Sequence, residues 1–185
     1  MSKPEVKTLH DFFIIGAQKC GTTWLHQMLA SHPQIYMPKG KDDEFFSYLP
    51  DKDIAEYKVK FSQAQNTQLI GDSCASYFWT ARSGDSQPQR FNPRIPKTMR
   101  QALGSDCHYI VLLKEPIQRT ISGYLHHIAH GSLDCNTSIL EAPPERGLIA
   151  LSRYGHHLAS WREHIDDEKL LILPAPESHN HEQLL

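Results

Sequence analysis

Apolar residues in this chain fall into short unbroken runs separated by stretches with helical spacing. "DFFIIG" (11–16) is an apolar run closed by glycine, and "TTWLHQMLAS" follows with Trp24, Leu25, Met28 and Leu29 at helical intervals. The pattern predicts strand, tight loop, helix. "TQLIGDS" (67–73) and "CHYIVLL" (107–113) are further apolar runs ending in polar residues, and they predict buried strands. "PIQRTISGYLHHIA" opens with proline at a first helical position and sets Ile117, Ile121, Leu125 and Ile128 on one face, expected to pack on the sheet. Leu148, Leu151, Leu158, Trp161 and Ile165 predict another amphipathic helix, and "KLLILPA" (169–175) a fourth strand. Trp24, Trp161 and Phe78 are expected in the core, while Trp79 fits either the core or a cleft wall. Strand alternates with helix and no repeat intervenes, which predicts an α/β fold with a doubly wound parallel sheet flanked by helices. The polar stretches 38–66 and 80–98 are expected as long loops with short helices over the strand ends, where such sheets bind ligands.

The first strand–helix junction changes the picture. Gly16, four residues and Gly21 keep the frame of a P-loop, but Thr22 stands where the lysine belongs and the lysine lies inside the loop as Lys19. A glycine-bounded turn into a helix aims backbone N–H groups and the positive end of the helix dipole at one spot, which suits an anion. Thr22 and Thr23 can cap the helix and donate hydroxyl hydrogen bonds, and Lys19 adds a mobile charge. The candidate binding set is Gly16, Gln18, Lys19, Cys20, Gly21, Thr22 and Thr23.

Composition narrows the partners. The 185 residues are 39% hydrophobic and 22% charged with a net charge of −2, as in an ordinary globular chain of one domain, 1–185. A charge so near zero gives no general attraction to nucleic acid or an anionic membrane, so an anion must be held by a local site. Cys20, Cys74, Cys107 and Cys135 are scattered without a C-x-x-C pair, which predicts reduced thiols in a cytoplasmic protein and no structural disulfide. The polar start "MSKPEVKTLHD" follows no signal-peptide plan, and no apolar run has the length of a membrane span. Of the 12 histidines, His126, His127 and His130 share one helix and His156 and His157 the next. Neither group has a carboxylate or cysteine at ligand spacing, so no metal is expected.

"IIGAQKCGTTWLHQML" resembles the 5′-phosphosulfate loop of sulfotransferases that use 3′-phosphoadenosine-5′-phosphosulfate (PAPS), whose hallmark is a lysine two residues before G-T-T. Bacterial members and the sulfotransferase domain of heparan sulfate N-deacetylase/N-sulfotransferases are the nearest in pattern. "KDDEFFS" (41–47) resembles the family's acidic segment before a Phe-Phe pair, and "GDSCASYF" (71–78) its G-E-x-S-x-x-Y stretch. "YIVLLKEPIQRTISGYLHH" (109–127) resembles its strand–loop–helix at the 3′-phosphate, and "YGHHLASW" (154–161) its Y-x-x-x-L-x-x-W helix. The resemblance implies a P-loop-like fold and PAPS as sulfuryl donor without a metal. It implies an acceptor hydroxyl or amine on a small molecule or carbohydrate. It also implies that Lys19 stabilises the leaving oxygen and that Lys114 and Ser122 hold the 3′-phosphate. The family's usual residue at Lys114 is arginine, and Arg119 is expected to compensate from the same turn. Alignment on Phe45-Phe46 puts the family's acidic residue at Asp42 as general base, with Asp43 and Glu44 as rivals and His126 as a further candidate.

The chemistry agrees. Sulfuryl transfer passes through a loose in-line transition state, so the protein mainly positions groups and stabilises charge. A sulfuryl group carries one negative charge fewer than a terminal phosphoryl group, so a lysine, amides and hydroxyls suffice without Mg²⁺. After "YIVLL" a nucleotide triphosphatase needs a magnesium-holding Asp, and this chain has Lys114-Glu115. Family members continue past the fourth strand with helices and a lysine-containing loop, and the chain is expected to be C-terminally truncated. A catalytically weak module that binds PAPS or its product is the second reading. A P-loop kinase or triphosphatase is the third, disfavoured by Thr22 and the absent Asp.

Overall fold

The computed structural model describes residues 10–41, 44–48, 53–80 and 94–176. Five parallel strands form one sheet in the order β2-β3-β1-β4-β5. They are β1 (Phe12–Gly16), β2 (Ile35–Tyr36), β3 (Leu69–Ser73), β4 (His108–Leu113) and β5 (Leu170–Pro174). Helices α1 (Thr22–Ala30), α2 (Ile54–Lys58), α3 (Ile95–Leu103), α4 (Pro116–Ala129) and α5 (Tyr154–Arg162) connect or flank them. All five residues of β1 are buried, as a central parallel strand requires. Four of the strands lie on the predicted runs. Strand β2 lies outside them: two residues between Pro33 and Pro38 leave little ladder to read in the sequence.

The core centres on aromatic rings packed between the sheet and the segment after α1. Phe13, Phe46, Tyr57 and Tyr77 are fully buried, with Phe46 edge-on to Tyr57 at 5.1 Å between ring centroids. His10 stacks on Tyr57, whose hydroxyl donates to Asp72 Oδ2 at 2.8 Å. Because that hydrogen is committed, His10 Nε2, 3.2 Å from the same oxygen, is the donor of its contact, and His10 Nδ1 is left bare and unpartnered. Burial holds the His10 pKa down to about 3.

Three predicted faces are corrected. Ile117, Ile121 and Leu125 of α4 are exposed, and the helix instead buries Arg119 and Gly123 against the segment 148–152. Apolar spacing marks a face, but here hydrogen bonds from Arg119 and Thr120 to Ser152 and Leu148 turn the polar face inward. Trp24 is 49% exposed rather than core, whereas Trp161 and Phe78 are fully buried. Leu148 and Leu151 are buried in turns before α5, which begins only at Tyr154 because Arg153, at φ −83° and ψ 58°, leaves the helical region between them. Trp79 belongs to the core, its ring lying where a side chain on Gly147 would stand.

Candidate active site

The site lies at the carboxyl ends of β1 and β4, neighbours at the centre of the sheet, where each strand turns into a helix. At the β1–α1 corner Gly16 is required by space: a Cβ there would collide with Phe78 and meet the Ala75 carbonyl at 3.2 Å. The loop is tied to β4 by Ala17 N–H, which donates to Leu112 O at 3.0 Å. Lys19 (φ 67°) and Gly21 (φ 88°) are both left-handed, so the chain reverses sharply around Cys20. The N-cap of α1 is Gly21, with no side-chain cap. Thr22 and Thr23 are therefore inside the first turn rather than capping it, and the first-turn N–H groups remain available to an outside anion.

Their hydroxyls have another partner. Lys41 Nζ donates to Thr23 Oγ1 at 2.6 Å and to Thr22 Oγ1 at 3.3 Å. The segment carrying Lys41 is held by His26, buried in α1, whose Nε2 lies 3.1 Å from Pro38 O and whose Nδ1 lies 2.8 Å from Ser73 Oγ. Lys41 is pushed below the usual lysine range by burial, and Lys19 acts in the same direction. Lys19 is lowered by burial and then by Lys114. His126 is lowered by burial and then by Lys19, so it is biased toward the neutral imidazole. Lys41, Lys114 and His126, from three separate stretches of chain, thus lie within electrostatic range of Lys19.

The β4–α4 corner is built differently. Lys114 is half-buried at the strand end, and Glu115 caps α4 through a carboxylate that accepts from Gln118 N–H at 2.7 Å. Ser122, half-buried, lies two turns along the same helix. Arg119 departs from the expectation that it supports Lys114 at a phosphate. It is fully buried, with Nε donating to Ser152 Oγ at 2.7 Å and Nη2 to Leu148 O, so it braces the turn before α5.

Cys20 is buried with its sulfur 3.7 Å from Tyr154 Oη, which joins the first loop to α5. Burial pushes the thiol up, so it stays protonated and serves as packing and backbone rather than as a nucleophile. Gln18 is half-buried in the same loop. Asp42 and its rival Asp43 lie outside the described residues. Glu44 is half-buried at φ 60°, next to a pair fixed in the core: Phe46 N–H donates to Tyr77 Oη at 2.8 Å. Among the described residues no group of three His, Cys, Asp or Glu is placed to hold a metal, and no helix is long and apolar enough to cross a membrane.

Sequence reasoning missed Lys41, His26 and Tyr154 as site residues. Lys41 and Tyr154 are the first letters of two stretches quoted for the resemblance, but only the fold reveals that both reach the first loop. His26 carries no signal beyond its place on α1.

Residues 9–174 match the family model described as sulfotransferase domain. The chain is 28% identical over 191 residues to the bifunctional heparan sulfate N-deacetylase/N-sulfotransferase 1 of Caenorhabditis elegans, covering 92% of this chain and 20% of that protein. It is 26% identical over 175 residues to human heparan sulfate glucosamine 3-O-sulfotransferase 3B1, covering 90% and 41% of the two chains. The chain therefore spans well under half the length of these relatives. Among solved structures, a sulfotransferase from Alicyclobacillus acidocaldarius superposes with a TM-score of 0.72 over 89% of this chain and 72% of that one, at 22% identity, a likeness of fold.

Proposed function

The chain belongs to the sulfotransferase-domain family, and from that premise we propose that it transfers a sulfuryl group from PAPS to a hydroxyl or amine acceptor by in-line attack. The observation that carries this reading is that Lys19 and Lys114 stand at the turns following two neighbouring parallel strands, β1 and β4, on the same carboxyl edge of the sheet. A donor with a phosphosulfate at one end and a 3′-phosphate at the other matches two separated cationic corners better than a linear triphosphate does. The first-turn amides of α1 and the Thr22 and Thr23 hydroxyls receive the phosphosulfate. Lys114 and Ser122 hold the 3′-phosphate. Lys19 meets the charge that grows on the bridging oxygen as the sulfuryl group departs. The acceptor's proton goes to Asp42 or to neutral His126, whose lowered pKa leaves it able to accept a proton near neutral pH. The acceptor is a small molecule or a carbohydrate, the latter supported by the heparan sulfate enzymes among the relatives.

The test is transfer of labelled sulfur from PAPS to a panel of amino sugars, hydroxyl sugars and simple alcohols, without added Mg²⁺. Labelled product from one class establishes the activity and names its acceptor. Donor binding without transfer to any of them leaves the module reading, and absence of donor binding removes both.

A further inference from the structure

Among the described residues, the cationic side chain hydrogen-bonded to the α1 threonines is Lys41, which belongs to another segment. Its ammonium lies 2.6 Å from Thr23 Oγ1 and 3.3 Å from Thr22 Oγ1. An ammonium only donates, so both threonine oxygens act as acceptors in these contacts. Each hydroxyl hydrogen is then committed away from Lys41 and left to donate elsewhere. Both acceptors are neutral, and Lys41 is half-buried within electrostatic range of a second ammonium, Lys19. Like charges brought together in partial burial are costly unless an anion completes the cluster. Nor is Lys41 on a loose arm: His26 joins Pro38 O to Ser73 Oγ, and the adjoining Met37 is buried in the core.

We propose that Lys41 is a positioning residue for the phosphosulfate end of the donor, acting through Thr22 and Thr23, whose hydroxyls it turns and polarises as hydrogen-bond donors to the anion. The inference rests on the donor reading above but concerns a residue that the loop motif does not contain. It assigns the two threonines a role coupled to a second segment, and it makes the stretch 37–41, held by His26, part of the donor site.

The test measures affinity for 3′-phosphoadenosine-5′-phosphate (PAP) and for inorganic pyrophosphate, with thermal stability, in Lys41→Met, Lys41→Arg, Thr23→Val and the double variant Lys41→Met/Thr23→Val. Lys41→Met and Thr23→Val are each expected to weaken both anions about tenfold, as loss of a charge-assisted contact implies. Because the two act as a unit, the double variant should lose no more than about twofold beyond the worse single one. Lys41→Arg, which still donates, should retain most of the affinity. Additive losses, wild-type affinity in Lys41→Met, or a loss that tracks a lowered Tm would each overturn the proposal, the last by making Lys41 a mere tether for 37–41. If the wild type prefers Mg-ATP to PAP while Lys41→Met still loses pyrophosphate, the donor reading falls and the role of Lys41 stands. If the wild type binds neither PAP nor pyrophosphate, both fall.

Discussion

The two corners at the centre of the sheet start from the same device, a parallel strand turning into a helix, and use it in opposite ways. At β1–α1 the helix is capped by a glycine without a side-chain partner, and two left-handed residues bend the loop around a cluster of N–H groups. That corner offers an anion its backbone N–H groups. At β4–α4 the helix start is already occupied by the Glu115 carboxylate, and Pro116 contributes no N–H. On the proposed reading, an anion there would be held by side chains, Lys114 and Ser122. On the proposed donor reading, the first corner would distribute its affinity over many donors and leave Lys19 to act in the transition state. The second would concentrate its affinity in the Lys114 ammonium, with Ser122 adding a neutral donor.

The largest expected effect follows from that division. Lys19→Ala should leave donor affinity mostly intact, since amides and hydroxyls remain, while turnover falls on the order of 10²–10³, as for removal of one oxyanion donor. Paired turnover and binding measurements check this, and a loss confined to affinity would make the two corners alike. Next, Lys114→Ala should cost PAP binding about 1.5–3 kcal/mol by calorimetry and Ser122→Ala less, because a neutral hydroxyl contributes less than a charge. Equal losses would mean that the second corner is not a point-charge site.

Two buried ionisable groups, one under the second corner and one at the far end of β1, extend the contrast to stability. Arg119 beneath the second corner donates to Ser152 and Leu148, so Arg119→Met should lower stability by about 1.5–3 kcal/mol in denaturant titration. At the opposite, amino end of β1, His10 is neutral in the fold with its pKa held to about 3, against 6.5 when unfolded. The unfolded chain therefore binds the extra proton first. The stability His10 supports is complete above pH 6.5 and declines as pH falls toward 3, by at most about 1.4 kcal/mol per pH unit. His10→Phe should flatten that part of the pH–stability curve.

The sequence made the first corner legible because its chemistry and geometry are local: Gly16, Lys19, Gly21 and the threonines lie within eight residues. Four of the five strands were legible for the same reason, each being a bounded apolar run. What was not legible depends on distant contacts. Lys41 reaches Thr23 from 18 residues away, and its lysine in "KDDEFFS" is indistinguishable from a solvated charge until the fold closes. The exposed stripe of Ile117, Ile121 and Leu125 has the spacing of a packed face, and only the hydrogen bonds of Arg119 and Thr120 decide that α4 turns the other way. Arg119 misled for a related reason: an arginine one turn from Lys114 reads as a phosphate ligand, yet its acceptors lie 29 and 33 residues further on.

The central claim is that one nucleotide bridges both corners, and a calorimetric comparison of PAP with adenosine 5′-monophosphate tests it most directly. The two ligands differ only in the 3′-phosphate. Without Mg²⁺, the wild type should bind PAP at least about tenfold more tightly, the expected scale for one charge-assisted contact, and Lys114→Ala should shrink the difference to within about threefold. Equal affinity for the two ligands in the wild type, or a PAP preference untouched by Lys114→Ala, would contradict the account.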